Sequence, residues 1–267
     1  MYSTLLLDIT GEIATITLNR PEKRNAISPP MISDLLSALD AVERSKVRVG
    51  ILTGAGKSFC AGMDLEMLTA IARQSAQENQ EDSRRMAKMF RRLWSFSKPL
   101  IAAVQGAALA GGSGIATLCD FTLATPEAKF GYTEVRIGFL PALVSVFLTR
   151  QIGDKRARDL LLTGRQLSAA EAKELGLVNE IVPAESLMAR AHELAAVLIA
   201  ASPSSLTRAK WLLTAAAAQS VDNDLERAIL ENARIRCTPD FKEGIASFLE
   251  KRKPVWAGET GKDDDCP

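Results

Sequence analysis

Two glycine-rich segments about fifty residues apart constrain this chain more than anything else in it. The first is SFCAGMDL (58–65) and the second is GAALAGGSG (106–114). Each follows an apolar run of strand character, VRVGILT (47–53) and LIAAV (100–104), and each is followed by helix-compatible sequence. A turn of small residues between a strand and a helix leaves backbone N–H groups unpaired and pointing outward. Two such turns facing each other can hold a developing oxyanion. Glu134, in FGYTEVRIG, lies 20 residues beyond Gly114 and is the candidate for proton transfer.

The rest of the chain fits the same strand–turn–helix rhythm. EIATITL (12–18) alternates as a half-buried strand does, and the first residues also read as strand. Pro29-Pro30 before MISDLLSALDAVE predicts a helix starting near Pro30. Residues 66–93 are charged with scattered apolar positions, and they predict a mobile or solvent-covered helical stretch able to cover a ligand. GIATLCD (114–120) predicts a short buried helix and FTLAT (121–125) the next strand, which together point to α/β layering with right-handed crossovers. Beyond Ser202-Pro203 the chain is helix-compatible almost throughout, with Asp240 as the expected cap of the last helix.

Composition excludes several classes. A net charge of +1 over 267 residues provides no field for nucleic acid or a membrane surface. No apolar run reaches the length of a membrane span. The N-terminal residues lack the basic start and apolar core of a signal peptide, and the tail KDDDCP is polar and expected to be disordered. The cysteines, Cys60, Cys119, Cys237 and Cys266, form no CxxC pair and no metal-ligand spacing, so reduced thiols and a cytoplasmic location are expected. GAGKS (54–58) misses the phosphate-binding loop because Ile51 stands where its first glycine is needed, with Gly50 one residue out. GGSGIAT fails as a dinucleotide fingerprint because its last glycine position holds Thr117. His192, the single histidine, lies in a helical pattern far from both glycine segments, which argues against a Ser-His-Asp triad.

Six segments in order resemble the crotonase superfamily, the enoyl-CoA hydratase/isomerase family. They are LNRPEKRNAIS (18–28), VGILTGAGKSFCAGMDL (49–65), KPLIAAVQGAALAGGSGIATLCDF (98–121), AKFGYTEVRIGFLP (128–141), LLLTGRQLSAAEAKELGLVNEIVP (160–183) and FLEKRKPVW (248–256). The resemblance implies an α/β fold: a crotonase-like spiral of β-β-α units over residues 1–200, then a helical region, 201–267, that mediates assembly into a homotrimer or a dimer of trimers. It implies an acyl-CoA thioester as substrate, with no cofactor beyond the coenzyme A moiety. The oxyanion donors would be the N–H groups of Met63 and Gly111, and Glu134 the acid/base. Coenzyme A would lie along Arg24, Asn25 and Ala26, and along Ala61, Met63, Asp64, Leu65 and Glu66. Asp64 has an equal alternative as a local turn or cap residue. Phe248 and Lys251 match positions that reach a neighbouring subunit's coenzyme in the family, although KRK (251–253) also fits a solvated charge run.

One departure bears on the reaction. Hydratases of this family typically use two glutamates, and the position of the first is Gly114 here. A single glutamate suffices to move a proton between carbons, as in the family's Δ3,Δ2-enoyl-CoA isomerases. The apolar GFLPALVSVFL (138–148) and the KRKPVWA ending are similar to a branch acting on glutaconyl-type CoA esters, which includes hydratases with glycine at this position. Hydration of an α,β-unsaturated acyl-CoA is therefore the leading expectation. The alternatives are isomerisation and a catalytically weak acyl-CoA-binding role.

Overall fold

The computed structural model describes residues 2–257. The N-terminal half runs β1 (Leu5–Thr10), β2 (Ile13–Leu18), α1 (Pro29–Arg44), β3 (Val49–Gly54), α2 (Leu65–Ile71), α3 (Ala76–Trp94), β4 (Leu100–Val104), β5 (Ala107–Leu109) and α4 (Gly111–Thr117). It continues with β6 (Phe121–Ala124), β7 (Lys129–Gly131), α5 (Ala142–Ile152), α6 (Asp154–Thr163), β8 (Gln166–Ser168), α7 (Ala169–Glu174) and β9 (Glu180–Ile181). Four helices finish the described chain: α8 (Leu187–Ala200), α9 (Pro203–Ala215), α10 (Ala218–Ile235) and α11 (Pro239–Leu249).

The main sheet has the order β1-β2-β3-β4-β6-β9, antiparallel only between β1 and β2. Its central strands are buried on both faces, as parallel strands between helical layers must be. Alternate residues separate the two sides. Val49, Ile51, Ile101 and Ala103 pack with Leu187, Ala191 and Ala195 of α8. Leu52, Leu100, Ala102 and Val104 join the larger core that includes α1, α3, α5 and α10. Helix α1 begins with prolines in its first turn and buries Met31, Ile32, Leu35, Leu39 and Val42 at helical spacing. A second, three-stranded sheet, β5-β7-β8, branches off past Gly106.

The two glycine segments run side by side. Cys60 N–H donates to the Ala107 carbonyl at 3.0 Å and Leu109 N–H donates to the Cys60 carbonyl at 2.9 Å, a one-residue parallel bridge. Side chains would prevent this approach. A Cβ on Gly112 would lie 2.2 Å from the Cys60 carbonyl oxygen, and one on Gly106, at φ 62°, would lie 1.9 Å from that of Lys57.

Four local expectations need correction. Helix α3 is no mobile cover: it buries Met86, Ala87, Met89, Phe90 and Leu93, and a Ser75–Glu78 capping box fixes its start. Helix α4 starts at Gly111, three residues earlier than its apolar stretch suggested, because small residues there let the first turn pack against Cys60. The cap of α11 is Thr238, whose hydroxyl accepts from Phe241 N–H at 3.2 Å, while Asp240 instead accepts from Ala257 N–H at 2.8 Å. Cys60 and Cys119 are buried free thiols, but half-buried Cys237 at the end of α10 is disulfide-bonded. Cys266 and the KDDDCP tail lie outside the described residues. Among the described residues, no helix is long and apolar enough to cross a membrane.

The contact between the glycine segments predicts a specific sensitivity. Gly112→Ala should lower stability by roughly 1–3 kcal/mol through overpacking against backbone that cannot yield. An unchanged midpoint in urea denaturation would show that the two segments tolerate separation.

Candidate functional site

The two segments, the turn carrying Glu134 and the last two helices surround a cavity of about 850 Å³. The three residues central to the expected chemistry, Met63, Gly111 and Glu134, all line it. Gly62, at φ 95°, bends the first segment so that Ile27 N–H donates to the Gly62 carbonyl and Asp64 N–H to the Ile27 carbonyl. Met63, between them, spends its own N–H on no acceptor among the described residues. Gly111 N–H is likewise unclaimed as the first of α4, a place where a helix leaves its donors free. The preceding Ala110 is held at φ 52°, ψ −125°, a conformation that a Cβ makes costly. Its N–H donates to the Gly131 carbonyl at 2.7 Å, which ties the second segment to the strand leading to Glu134.

Glu134 opens a short 3-10 turn, Glu134–Ile137, and is 8% exposed. Its Oε2 is buried without a hydrogen-bond partner. Desolvation pushes its carboxyl up to about 7, with a backbone hydrogen bond opposing the shift. No salt bridge to Arg136 or Lys129 is present among the described residues. The turn is pinned from behind by α11, where a Cβ on Gly244 would meet the Ile137 carbonyl oxygen at 2.2 Å.

The other carboxylates on the cavity wall are engaged or exposed. Asp64 accepts from Glu66 N–H at 3.0 Å, capping α2, and pairs with Arg20 at 2.8 Å. Glu66 pairs with Lys23 at the mouth, and Glu22 is exposed. The site thus holds one buried, unpartnered carboxyl. The place of a second is filled, because a Cβ on Gly114 would lie 2.7 Å from Val144 Cγ1 and 3.1 Å from Phe90 Cε1.

Most residues expected at the site do line this cavity: Arg24, Ala26, Ala61, Asp64, Glu66 and Phe248 join the central three. Asn25 does not. It is fully buried, with its amide accepting from Arg20 N–H at 2.8 Å and donating to the carbonyls of Ala55 and Ser58, so it braces the loop rather than facing a ligand. Leu65 opens α2. Lys251 lies just past α11, exposed and away from the cavity lining. Phe248 lines the cavity of its own chain. Sequence reasoning missed Lys23, Phe90, Asn232 and Arg236. The apolar spacing of Met86, Phe90 and Leu93 on α3 was a usable signal for Phe90, whereas nothing marked the two polar residues of α10 and its end.

A sequence model of the family described as enoyl-CoA hydratase/isomerase matches residues 8–259. The chain belongs to the enoyl-CoA hydratase/isomerase family. It is 46% identical over 245 residues to a Thermus thermophilus protein that carries the name enoyl-CoA hydratase, covering 91% of this chain and 97% of the relative. It is 36% identical over 259 residues to a protein of Syntrophomonas wolfei named crotonyl-CoA hydratase, covering 94% and 97%. The crystal structure of an enoyl-CoA hydratase/isomerase from Xanthobacter autotrophicus superposes with a TM-score of 0.87 at 32% identity, over 94% of both chains. The α/β architecture is therefore that of this enzyme family, and an acyl-CoA substrate is consistent with membership.

The Glu134 environment makes a testable statement about stability. The folded chain keeps its Glu134 proton up to about pH 7, whereas the ordinary value is 4.5. Stability from this group is complete below the lower value and is lost as pH rises through the higher one. Glu134→Gln removes that dependence, so its stability relative to wild type should rise between these limits by on the order of 1–3 kcal/mol. Parallel denaturation curves of the two proteins at pH 4.5 and pH 8 check this, and a constant difference would contradict a raised carboxyl.

Proposed function

We propose that this enzyme adds water to an α,β-unsaturated acyl-CoA through a thioester enolate, with branched or glutaconyl-type acyl groups within its range. One observation carries the reading: the buried, unpartnered Glu134 carboxyl shares a cavity with the unclaimed N–H groups of Met63 and Gly111. The thioester oxygen would accept from both N–H groups, drawing electrons from the double bond so that water adds at the β-carbon. Charge then develops on an oxygen already provided with donors, the arrangement that usually contributes most to acyl catalysis. Glu134 gives its proton to the α-carbon, and its carboxylate then takes up the proton that the added water loses as it becomes the β-hydroxyl. Lys23 and Arg24 at the cavity mouth suit the phosphates of coenzyme A, the one carrier group this chemistry requires. The names of the Thermus and Syntrophomonas relatives support hydration.

A second reading has an observation of its own. With Val144 and Phe90 packed against Gly114, a lone Glu134 fits Δ3,Δ2-enoyl-CoA isomerisation, in which one carboxylate takes a proton and returns it. The two readings demand opposite starting states. Hydration begins with Glu134 protonated, so kcat/KM for crotonyl-CoA should fall as pH rises above about 7. Isomerisation begins with the carboxylate, so its kcat/KM should fall below that value. In either case Glu134→Gln should lower turnover by roughly 10²–10⁴. Wild-type turnover by this variant on every accepted ester would remove Glu134 from the mechanism.

We also propose that the helices after residue 200 assemble the enzyme into a trimer or a dimer of trimers. Trp211, Leu212 and Leu213 on α9 are 56%, 63% and 80% exposed, and so many large apolar side chains left bare on one helix favour a partner that covers them. Closed symmetry would bury it without leaving an open end. Light scattering at micromolar concentration should give a multiple of three chains, and a monomer would rule this assembly out.

A further inference from the structure

Among the described residues, three buried side-chain polar atoms lack a hydrogen-bond partner: Gln74 Oε1, Glu134 Oε2 and Arg236 Nε. Two of these residues, Glu134 and Arg236, line the same cavity. Glu134 has a role in the chemistry proposed above. Arg236 has none so far, yet it is only 1% exposed. A guanidinium is costly to bury, and an aliphatic side chain would serve a purely hydrocarbon acyl tail better.

The groups around Arg236 define what would complete it. Its Nη1 donates to Asp82 Oδ2 at 2.9 Å and to Asn79 Oδ1 at 3.3 Å, and its Nη2 donates to Asn232 Oδ1 at 2.8 Å. Ser83 Oγ also donates to Asn232 Oδ1, at 2.8 Å, so that oxygen already serves two donors. Asp82 is shared with Arg85 at 3.4 Å. The acceptors here are therefore spent, and the free capacity consists of donors. Arg236 Nε–H has no partner, and Asn232 Nδ2 makes only a long contact, 3.5 Å, to the Leu140 carbonyl. Asp82 pairs with buried Arg236 and meets half-exposed Arg85 only at 3.4 Å, so it has no capacity left for the Nε–H of Arg236. Leu140 lines the same cavity as Glu134, Asn232 and Arg236.

We infer that Arg236, with Asn232, selects an acyl chain whose far end carries a carboxylate. The assignment rests on the reading that the cavity takes an acyl-CoA. A terminal carboxylate would accept from Arg236 Nε–H and Asn232 Nδ2–H, the two donors left without a good acceptor. The edge of a guanidinium matches a carboxylate geometrically as well as electrically. A methyl-ended chain leaves the same donors buried and unpaired, so the cluster discriminates against it.

Calorimetric binding of two saturated esters that cannot be hydrated, glutaryl-CoA and pentanoyl-CoA, tests this directly. The wild-type protein should bind glutaryl-CoA roughly 10–100-fold more tightly, the range expected for hydrogen bonds to a charged group. In the charge-matched variant Arg236→Met with Asp82→Asn, that ratio should fall toward unity. Equal or tighter binding of pentanoyl-CoA by wild type overturns the assignment, as does an unchanged ratio in the folded variant. Should the variant not fold, the wild-type comparison decides alone. Glutaryl-CoA preference without hydration of any enoyl ester sustains this assignment and removes the hydratase reading. Hydration of crotonyl-CoA without the preference does the reverse. Binding of neither ester overturns both this assignment and the acyl-CoA reading of the cavity.

Discussion

Everything at this site depends on backbone meeting backbone at Cys60 and Ala108. The hydrogen bonds on either side of that bridge fix Met63 and Gly111 relative to each other across about fifty residues of chain. Side-chain contacts would be too adjustable for this purpose, since rotamers relax and peptide planes do not. The approach is possible only because Gly106 and Gly112 present no Cβ to the opposing carbonyls of Lys57 and Cys60. Donors held in this way would need no reorganisation when charge appears on a bound oxygen, which is the advantage the proposed mechanism draws on. The strain at Ala110 and the unpaired N–H groups are the local costs of keeping them in place.

Glu134 reaches the same cavity from a different element, and its chemistry is set by what surrounds it rather than by a charged partner. Val144 and Phe90 occupy the space beside Gly114, and Leu140 and Val144 wall the cavity on which Glu134 opens. Burial raises the Glu134 carboxyl, because desolvation is the largest influence on it. A side chain at position 114 would have to displace Val144, whose Cγ1 lies 2.7 Å from where the new Cβ would be.

The parts legible in the sequence were those that depend on small residues and on order along the chain. Glycine segments after strands mark unpaired N–H groups whatever lies elsewhere in the fold, and the family resemblance is what singles out Met63 and Gly111 within them. Glu134 followed from its place after the second segment. Burial across distant elements left no such trace. Arg236 sits in NARIRC, where a charged residue reads as solvent-facing, and only the packing of α10 against α3 puts it inside with Asp82. Asn25 shows the reverse error. Its neighbours Arg24 and Ala26 line the cavity, but φ 53° at Asn25 turns its amide toward the Ala55–Ser58 turn, a direction that residue order does not encode.

The last strand ends at Ile181 and only helices follow it among the described residues, and the cavity does not respect a boundary near residue 200. Asn232, Arg236 and Phe248 line it from beyond that point. Gly138 and Gly244 let α11 press directly on the turn that carries Glu134, with a Cβ on Gly138 falling 2.2 Å from the Asp240 carbonyl oxygen. The cluster of Leu68, Ile71, Phe139, Phe241 and Ile245 joins α2, that turn and α11 into one packed unit. The helical region after residue 200 therefore shapes the cavity as well as presenting the exposed apolar side chains of α9. Helix α9 packs against α10, so an interface formed by α9, as proposed above, would adjoin the helix that brings Asn232 to the cavity.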